Sequence, residues 1–595
     1  MAALITALDN STPTQYGENG HTEYSWSNSI QEKILQFSFQ VTRTKDNGAA
    51  LQVVLRDLLR RLQFSLQNYS LPERELAKGY LSVLYRIIGQ TRDIIDGKGE
   101  YTLTYMMIYT WNDYFPVLAK FALKCLVDLG DKSVHQYGSW KDLKYFCDYC
   151  KKQQGADIHH PLVQYSVELL NKQLRKDSFT SSSKEISLVA KWIPREKSHF
   201  DWLYEALASN FYPEFIRTAS TPEQKEKAIR KCKTEYRKTL SELNREIDTT
   251  QVKQCAKLWS EIDFNKVTSI TTSKQKKAFL NVKKDGTERF PDDLDRVECA
   301  EHFKARIKQA AAGEVEMKGK RVGMADFTKQ AIELIRRKES AKAPYRNDIT
   351  KEELATVQLE IDLLNSQWRD NSTQTGALDK VIPMVDVSGS MEGDPMHVAI
   401  ALGLRIAEKS VLGKRMMTFS SKPTWVNLDG YETFVDQVAL VKRAEWGMNT
   451  NLYAAFDAIL DSVIQNKLKP EEVQDMVLAI LSDMQIDAGD GCDKKVLYDT
   501  VKAKYAAAGV RLYGEPFKPP HILFWNLRST DGFPCMSNQP NVSMMAGFSP
   551  ALLNQFCEQG LDAFQSCTPW SVLEQGLENE RYKIMADYFN REIQV

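Results

Sequence analysis

Between about residues 30 and 370, apolar side chains recur at intervals of three and four, the spacing of one face of an α-helix. Leu51, Val54, Leu55, Leu58 and Leu62 form one such stripe. Leu81, Leu84, Tyr85 and Ile88 form a second, and Leu162, Tyr165, Leu169 and Leu170 a third. Gly or Pro at positions 97, 99, 116, 130, 138, 155, 161 and 194 punctuates the stripes at the spacing of helix pairs, with no residue motif recurring at a fixed interval. The pattern predicts an irregular helical stack, with residues 223–246, dense in both charges, as a solvated helix face.

Residues 371–380, NSTQTGALDK, are polar and aperiodic and are expected to be a linker, with an arm over 1–30 and a helical domain over 31–370 before it. After it the pattern changes. VIPMVDV at 381–387 reads as a buried strand, and Asp394-Pro395 as the N-cap and N1 of a helix with the stripe Met396, Ala399, Ile400, Gly403 and Ile406. The alternation repeats. RMMTF at 415–419, MVLAILSD at 476–483, HILFWNL at 521–527 and NVSMMAG at 541–547 read as strands. Helices are expected from Leu452, near 494–507 and from Pro550. This predicts an α/β doubly wound, mostly parallel sheet over 381–595, with ligands at the carboxyl ends of its strands.

Composition narrows the class. Hydrophobic residues at 43% and charged residues at 26% are those of a folded globular chain. No run reaches the ~18 apolar residues of a membrane helix, and the opening residues lack the basic and apolar regions of a signal peptide. Ten scattered Cys read as reduced thiols, so a cytoplasmic protein with no membrane partner is expected. The 78 basic and 78 acidic side chains balance, yet 381–595 holds 19 basic and 27 acidic and the remainder 59 and 51. Such a field attracts a polyanion to the basic part or draws the two parts together.

Three loops place short oxygen ligands at strand ends: Asp386-Val-Ser388-Gly-Ser390 after the first strand, Gly447-Met-Asn-Thr450 before a helix, and Ser482-Asp483 at the end of the central apolar strand. Two carboxylates and three hydroxyls suit a hard divalent ion such as Mg²⁺. Asp386 would fix the charge, Ser388, Ser390 and Thr450 would ligate by hydroxyl, and Asp483 would bind directly or through water. Asp487 is the alternative to Asp483. Taken singly, each loop also reads as ordinary turn and cap residues.

In order and spacing this set resembles the von Willebrand factor A domain and its metal-ion-dependent adhesion site, over about 381–580. The resemblance implies a bound Mg²⁺ with one coordination position open to a carboxylate or other anionic oxygen of a partner. In that family the later Asp is commonly followed by Gly, whereas Met484 follows here.

The helical part followed by such a domain is similar to the Ro ribonucleoprotein family, in which HEAT-like helical pairs of a TROVE module form a ring closed by an A domain. Thr91-Arg92-Asp93 with Gly97-Lys98-Gly99-Glu100, Tyr137-Gly-Ser-Trp140-Lys141-Asp142, Ala190-Lys191-Trp192-Ile-Pro194 and Trp259-Ser-Glu-Ile262-Asp263-Phe264 leading to Ala278-Phe279 also resemble a family of plants and large DNA viruses with the same two-part plan. The Ro resemblance implies RNA. Lys266, Lys274, Lys276, Lys277, Lys283 and Lys284, with no acidic residue between 264 and 284, are candidate phosphate contacts, and Phe279 is a candidate stacking platform. A solvated loop or helix end is the plainer reading of these lysines.

Cys147-Asp-Tyr-Cys150, followed by His159 and His160, is too cramped for an ordinary zinc site and reads as buried thiols. GxxxxGK[ST] and GxSxG are absent, and Asp386-Val-Ser388 lacks the second carboxylate of a phosphotransfer pair. The expectation is a non-enzyme. The leading reading is an RNA-binding ribonucleoprotein scaffold with a Mg²⁺-dependent site. The alternative is a protein-assembly module whose metal accepts a partner's carboxylate, without RNA.

Overall fold

The computed structural model describes residues 13–43, 48–153, 158–180, 182–341, 351–444, 446–447, 449–488, 496–556 and 566–594. They form two compact units, one from Met1–Asn47 and Phe264–Asn579, the other from Gly48–Asp263 and Glu580–Val595.

The second unit is helical. Ala49–Asn68, Leu71–Arg92, Tyr101–Asn112, Pro116–Cys125, Trp140–Lys152, Pro161–Ser178, Asp201–Phe211 and Pro222–Ile247 are its longer helices, joined by Glu580–Glu592 from the far end of the sequence. Leu51, Leu55, Leu58 and Leu62 are buried, as are Leu81, Leu84, Tyr85 and Ile88, so the three-and-four spacing marks real core faces. Ser70 with Glu73, Ser139 with Asp142 and Thr221 with Gln224 make capping boxes that fix three of the starts.

The segments Thr91–Asp93, Gly97–Glu100 and Tyr137–Asp142 meet in this core. Arg92 donates from Nε and Nη2 to the two carboxylate oxygens of Asp142, each at 2.8 Å, and Tyr105 donates to Oδ1 at 2.7 Å. Burial pushes the Asp142 carboxyl up, and the Arg92 guanidinium outweighs it and holds the group below its ordinary value. Arg581 grips Asp93 in the same bidentate way, at 2.6 Å twice. Gly97 lies so close to the Gln90 carbonyl that an added Cβ would stand 2.1 Å from it, which is why the Gly-Lys-Gly turn needs glycine there. Cys147 and Cys150 are buried thiols, and burial pushes Cys147 up to about 12. His160 stacks on Tyr109 at 5.3 Å.

In the first unit, β1 (Thr14–Tyr16) and β2 (Thr22–Tyr24) form an antiparallel hairpin. The main sheet contains β3 (Val381–Asp386), β4 (Arg415–Phe419), β5 (Thr424–Asn427), β6 (Val477–Ser482), β7 (His521–Asn526) and β8 (Val542–Ala546), in the order β5-β4-β3-β6-β7-β8. All neighbours are parallel except β4 and β5. The chain runs from β3 outward to β4 and β5 and then returns to the other side of β3 as β6. The strand order therefore reverses between β3 and β6, where a doubly wound sheet opens a crevice at its carboxyl edge.

The expected linker at 371–380 is not one. The helix Lys351–Ser372 runs into it, and Asn371, Ser372, Thr375 and Leu378 are buried. Trp368 from the preceding helix stacks on Phe434 of the α/β part with ring centroids 4.0 Å apart, and Phe327 meets both rings edge-on. One apolar core runs from Val322 through the sheet to Phe556. Helices after Phe264 thus pack in the same compact unit as the sheet. Two further expectations shift. After Pro550 the described chain forms a 3₁₀ segment, Pro550–Phe556, and the helix expected to begin after an Asp394 cap begins at Asp394 itself, capped by Gly393.

Candidate functional site

Asp386 is the last residue of β3 and Asp483 follows the last residue of β6, so parallel pairing of these strands brings both carboxylates to the crevice. Both are fully buried. The Ser388 amide N–H donates to Asp386 Oδ1 at 2.9 Å and the Ser482 hydroxyl to Oδ2 at 2.6 Å. The Ser388 and Ser390 hydroxyl oxygens lie 3.1 Å apart, and Ser390 donates to Asp483 Oδ1 at 3.3 Å. Gln485 N–H reaches the same oxygen at 3.2 Å. Asp386, Ser388, Ser390 and Asp483 therefore form one cluster, with half-buried Ser390 and exposed Gly389 on its solvent side.

Thr450 corrects the sequence reading in one respect. It does not cap the following helix, because Asn451 does: the Ala454 N–H donates to Asn451 Oδ1 at 3.0 Å. Capping is thus no use for the Thr450 hydroxyl, which is fully buried and has no hydrogen-bond partner among the described residues. Asp483 Oδ2 is in the same condition, apart from Arg528 Nη1 at 3.5 Å. Buried polar atoms left unpaired are costly, about 1–3 kcal/mol each.

Burial pushes the Asp386 carboxyl up to about 7, with the Asp483 charge adding to it. Burial likewise raises Asp483, against the Gln485 amide and Arg528. Two desolvated carboxylates, two serine hydroxyls and an unpaired threonine hydroxyl are of the donor types a hard cation takes, and the charge of a divalent ion would offset both carboxylates. Among the described residues no group of three or more His, Cys, Asp and Glu that could hold a metal ion gathers, and the cluster itself contributes two carboxylates.

Asp487, the alternative ligand, is otherwise engaged. The Thr450 N–H donates to its Oδ2 at 2.7 Å, and its own N–H donates to the Thr450 carbonyl at 3.1 Å. Met484, where a glycine was expected, takes φ 62°, the left-handed conformation glycine favours, with its side chain buried. Ser482 was named from the sequence only alongside Asp483, with no role of its own, and Arg528 was not singled out. Arg528 follows β7 by two residues, so inspection of every strand's carboxyl end would have found it.

The lysine segment separates into two groups. Lys266, Lys274, Lys283 and Lys284 are exposed. Lys276 instead pairs with buried Glu360 at 2.9 Å, beside Arg337 at 2.9 Å, and Lys277 is half-buried with its ammonium pushed down by burial. Burial pushes Glu360 up, but the two cations hold it below its ordinary value. The acid missing between 264 and 284 is thus supplied by the helix Lys351–Ser372. Phe279 is no stacking platform, being fully buried against Phe264 and Phe303 with centroids at 5.3 and 5.5 Å.

Among the described residues no helix is long and apolar enough to cross a membrane. Residues 380–587 match DUF7788 and residues 148–370 match DUF2828, each described as a domain of unknown function. An uncharacterized protein of Acanthamoeba polyphaga mimivirus is 28% identical over 521 residues, covering 84% of this chain and 79% of its own length. This chain is similar to that viral protein over most of its length.

Proposed function

We propose that the chain is a non-enzymatic scaffold whose α/β part is a von Willebrand factor A domain holding Mg²⁺ or another divalent cation. Asp386, Ser388, Ser390 and Thr450 would hold the ion, with Asp483 direct or through water, and the ion would supply an open coordination position for an anionic oxygen of a partner. The observation that carries this reading is the Thr450 hydroxyl, buried without a partner on a residue whose backbone is held by Asp487, in the loop that follows the desolvated Asp483. A carboxylate side chain of a protein partner fits that position. Calorimetric titration tests the reading: the wild-type chain takes up Mg²⁺ and Asp386→Ala does not, with circular dichroism checking that the fold survives loss of this buried strand-end carboxylate. Unaltered Mg²⁺ affinity in Asp386→Ala would refute the ligand set.

A second reading, an RNA scaffold with a HEAT-like, TROVE-like helical part, is favoured by the exposure of Lys266, Lys274, Lys283 and Lys284. Phosphate contacts there would make RNA affinity fall steeply with salt, and replacing the four lysines by Gln would flatten the log–log slope by up to about four. Salt-insensitive binding, or no RNA shifted in a gel at low salt, would leave the protein-assembly reading alone.

A further inference from the structure

We infer that the N-terminal hairpin is a positioning strap for the crevice, and that Asp487 is the residue through which it acts on Thr450. The inference rests on the metal-site reading and extends it to residues that reading does not use.

The hairpin's turn lies against the loop that follows Asp483. Asn19 Nδ2 donates to the Gln485 carbonyl at 2.8 Å, and the Ala488 N–H donates to the Asn19 carbonyl at 3.2 Å. Gln485 Nε2 donates to Glu18 Oε2 at 2.6 Å, and Gly20 forms an antiparallel bridge with Asp487. Residues 485–488 are therefore fastened along their length to residues 18–20. That fastened loop sends out two contacts. Gln485 N–H meets Asp483 Oδ1 at 3.2 Å, and Asp487 closes a two-bond ring with the backbone of Thr450 through its carboxylate and its N–H, at 2.7 and 3.1 Å. Two of the five candidate donors, from different loops, are thus oriented by one short loop that the hairpin holds in place.

Within the loop, Met484 and Ile486 are buried and the Met484 N–H donates to the Ser482 hydroxyl at 3.0 Å, while the hairpin holds its outer edge. Met484, at its start, sits in a left-handed conformation that a non-glycine residue adopts only when its surroundings impose it. Because Asp487 spends its Oδ2 on the Thr450 N–H, its role is to orient a donor, in the way outer partners orient metal ligands and change affinity by roughly 10–100-fold when removed. Linkage makes the effect reciprocal: whatever factor the strap adds to cation affinity, the cation adds to docking of the strap.

The test uses the full chain and Mg²⁺ alone, read by calorimetry and by amide hydrogen exchange. Asp487→Ala is expected to weaken Mg²⁺ binding at least ~10-fold. Asp487→Asn, whose amide oxygen still accepts from the Thr450 N–H, is expected to restore most of the loss. Asn19→Ala is expected to weaken binding in the same direction, and saturating Mg²⁺ to slow exchange in residues 14–24 of the wild type. If Asp487→Asn loses Mg²⁺ as completely as Asp487→Ala, the residue is itself a ligand and the positioning role is overturned. Equal affinity in Asp487→Ala and wild type, or unchanged hairpin exchange on Mg²⁺ saturation, overturns the strap while leaving the metal site standing. A wild-type chain that takes up no Mg²⁺ overturns both. The exchange measurement needs no variant, so a misfolded substitution does not decide the matter.

Discussion

Both oxygens of Asp386 are already engaged, by the Ser388 amide and the Ser482 hydroxyl, yet its carboxyl is pushed up to about 7 because burial and the Asp483 charge outweigh those bonds. The folded, cation-free chain therefore keeps a proton that the unfolded chain releases at the ordinary carboxylate value. Between about pH 4 and pH 7 the folded state binds more protons, so this group's contribution to stability declines as pH rises through that window. A cation must displace that proton. Mg²⁺ affinity is accordingly expected to fall on acidification below about pH 7, and the Mg²⁺-induced rise in melting temperature to be larger near about pH 7.5 than near about pH 5.5. Titrations at those values check it, and a flat profile would mean that Asp386 is ionised before the cation arrives. Met484 shows a different balance at the same scale. Its left-handed backbone costs about 1 kcal/mol, and its buried side chain returns about 2 kcal/mol, so a residue other than glycine is sustained there.

The elements that carry the crevice were legible because buried parallel strands are written as unbroken apolar runs. VIPMVDV and MVLAILSD matched β3 and β6 to within two residues at either end, and strand-end geometry then delivered Asp386 and Asp483. The hairpin was not legible. TQY and TEY are three-residue polar strands whose pairing is set by a turn and by contacts with residues more than 400 positions away. β5 escaped for a similar reason, being four residues on the sheet edge with only Val426 buried. The supposed linker failed on composition: NSTQTGALDK looks solvated, but Asn371 accepts from Arg405 at its carbonyl and side-chain oxygens, at 3.2 and 3.1 Å, beneath the Trp368 ring. Polar residues that serve a buried guanidinium are indistinguishable in one dimension from polar residues facing water. Thr450 reads from the sequence either as a hydroxyl ligand or as a cap residue, and the neighbouring Asn451 takes the capping role.

At the scale of the molecule, the chain visits each unit twice, and every candidate donor, the strap and Arg528 belong to the unit containing the sheet. The helical unit has its own keystone in the last helix. Arg581 closes on Asp93, which is completely shielded, Tyr588 stacks on Phe121 at 3.7 Å, and Met585 and Phe589 are buried. Removing Arg581 leaves the Asp93 charge unpaired in the interior, a loss of about 3–5 kcal/mol. Mg²⁺, by contrast, stabilises only what binds it, by about 2.7 kcal/mol at a hundred times its dissociation constant. The two perturbations should therefore act on different parts of the chain. In hydrogen exchange, Arg581→Ala is expected to raise exchange across residues 71–152 while Mg²⁺ still protects the loops at 386–390, 449–451 and 483–488. Calorimetric melting should then show the variant's loss and the cation's gain on separable transitions. A single transition on which both effects simply add would mean that the two units unfold as one cooperative body, and that the cation stabilises residues of the helical unit as much as those of the crevice.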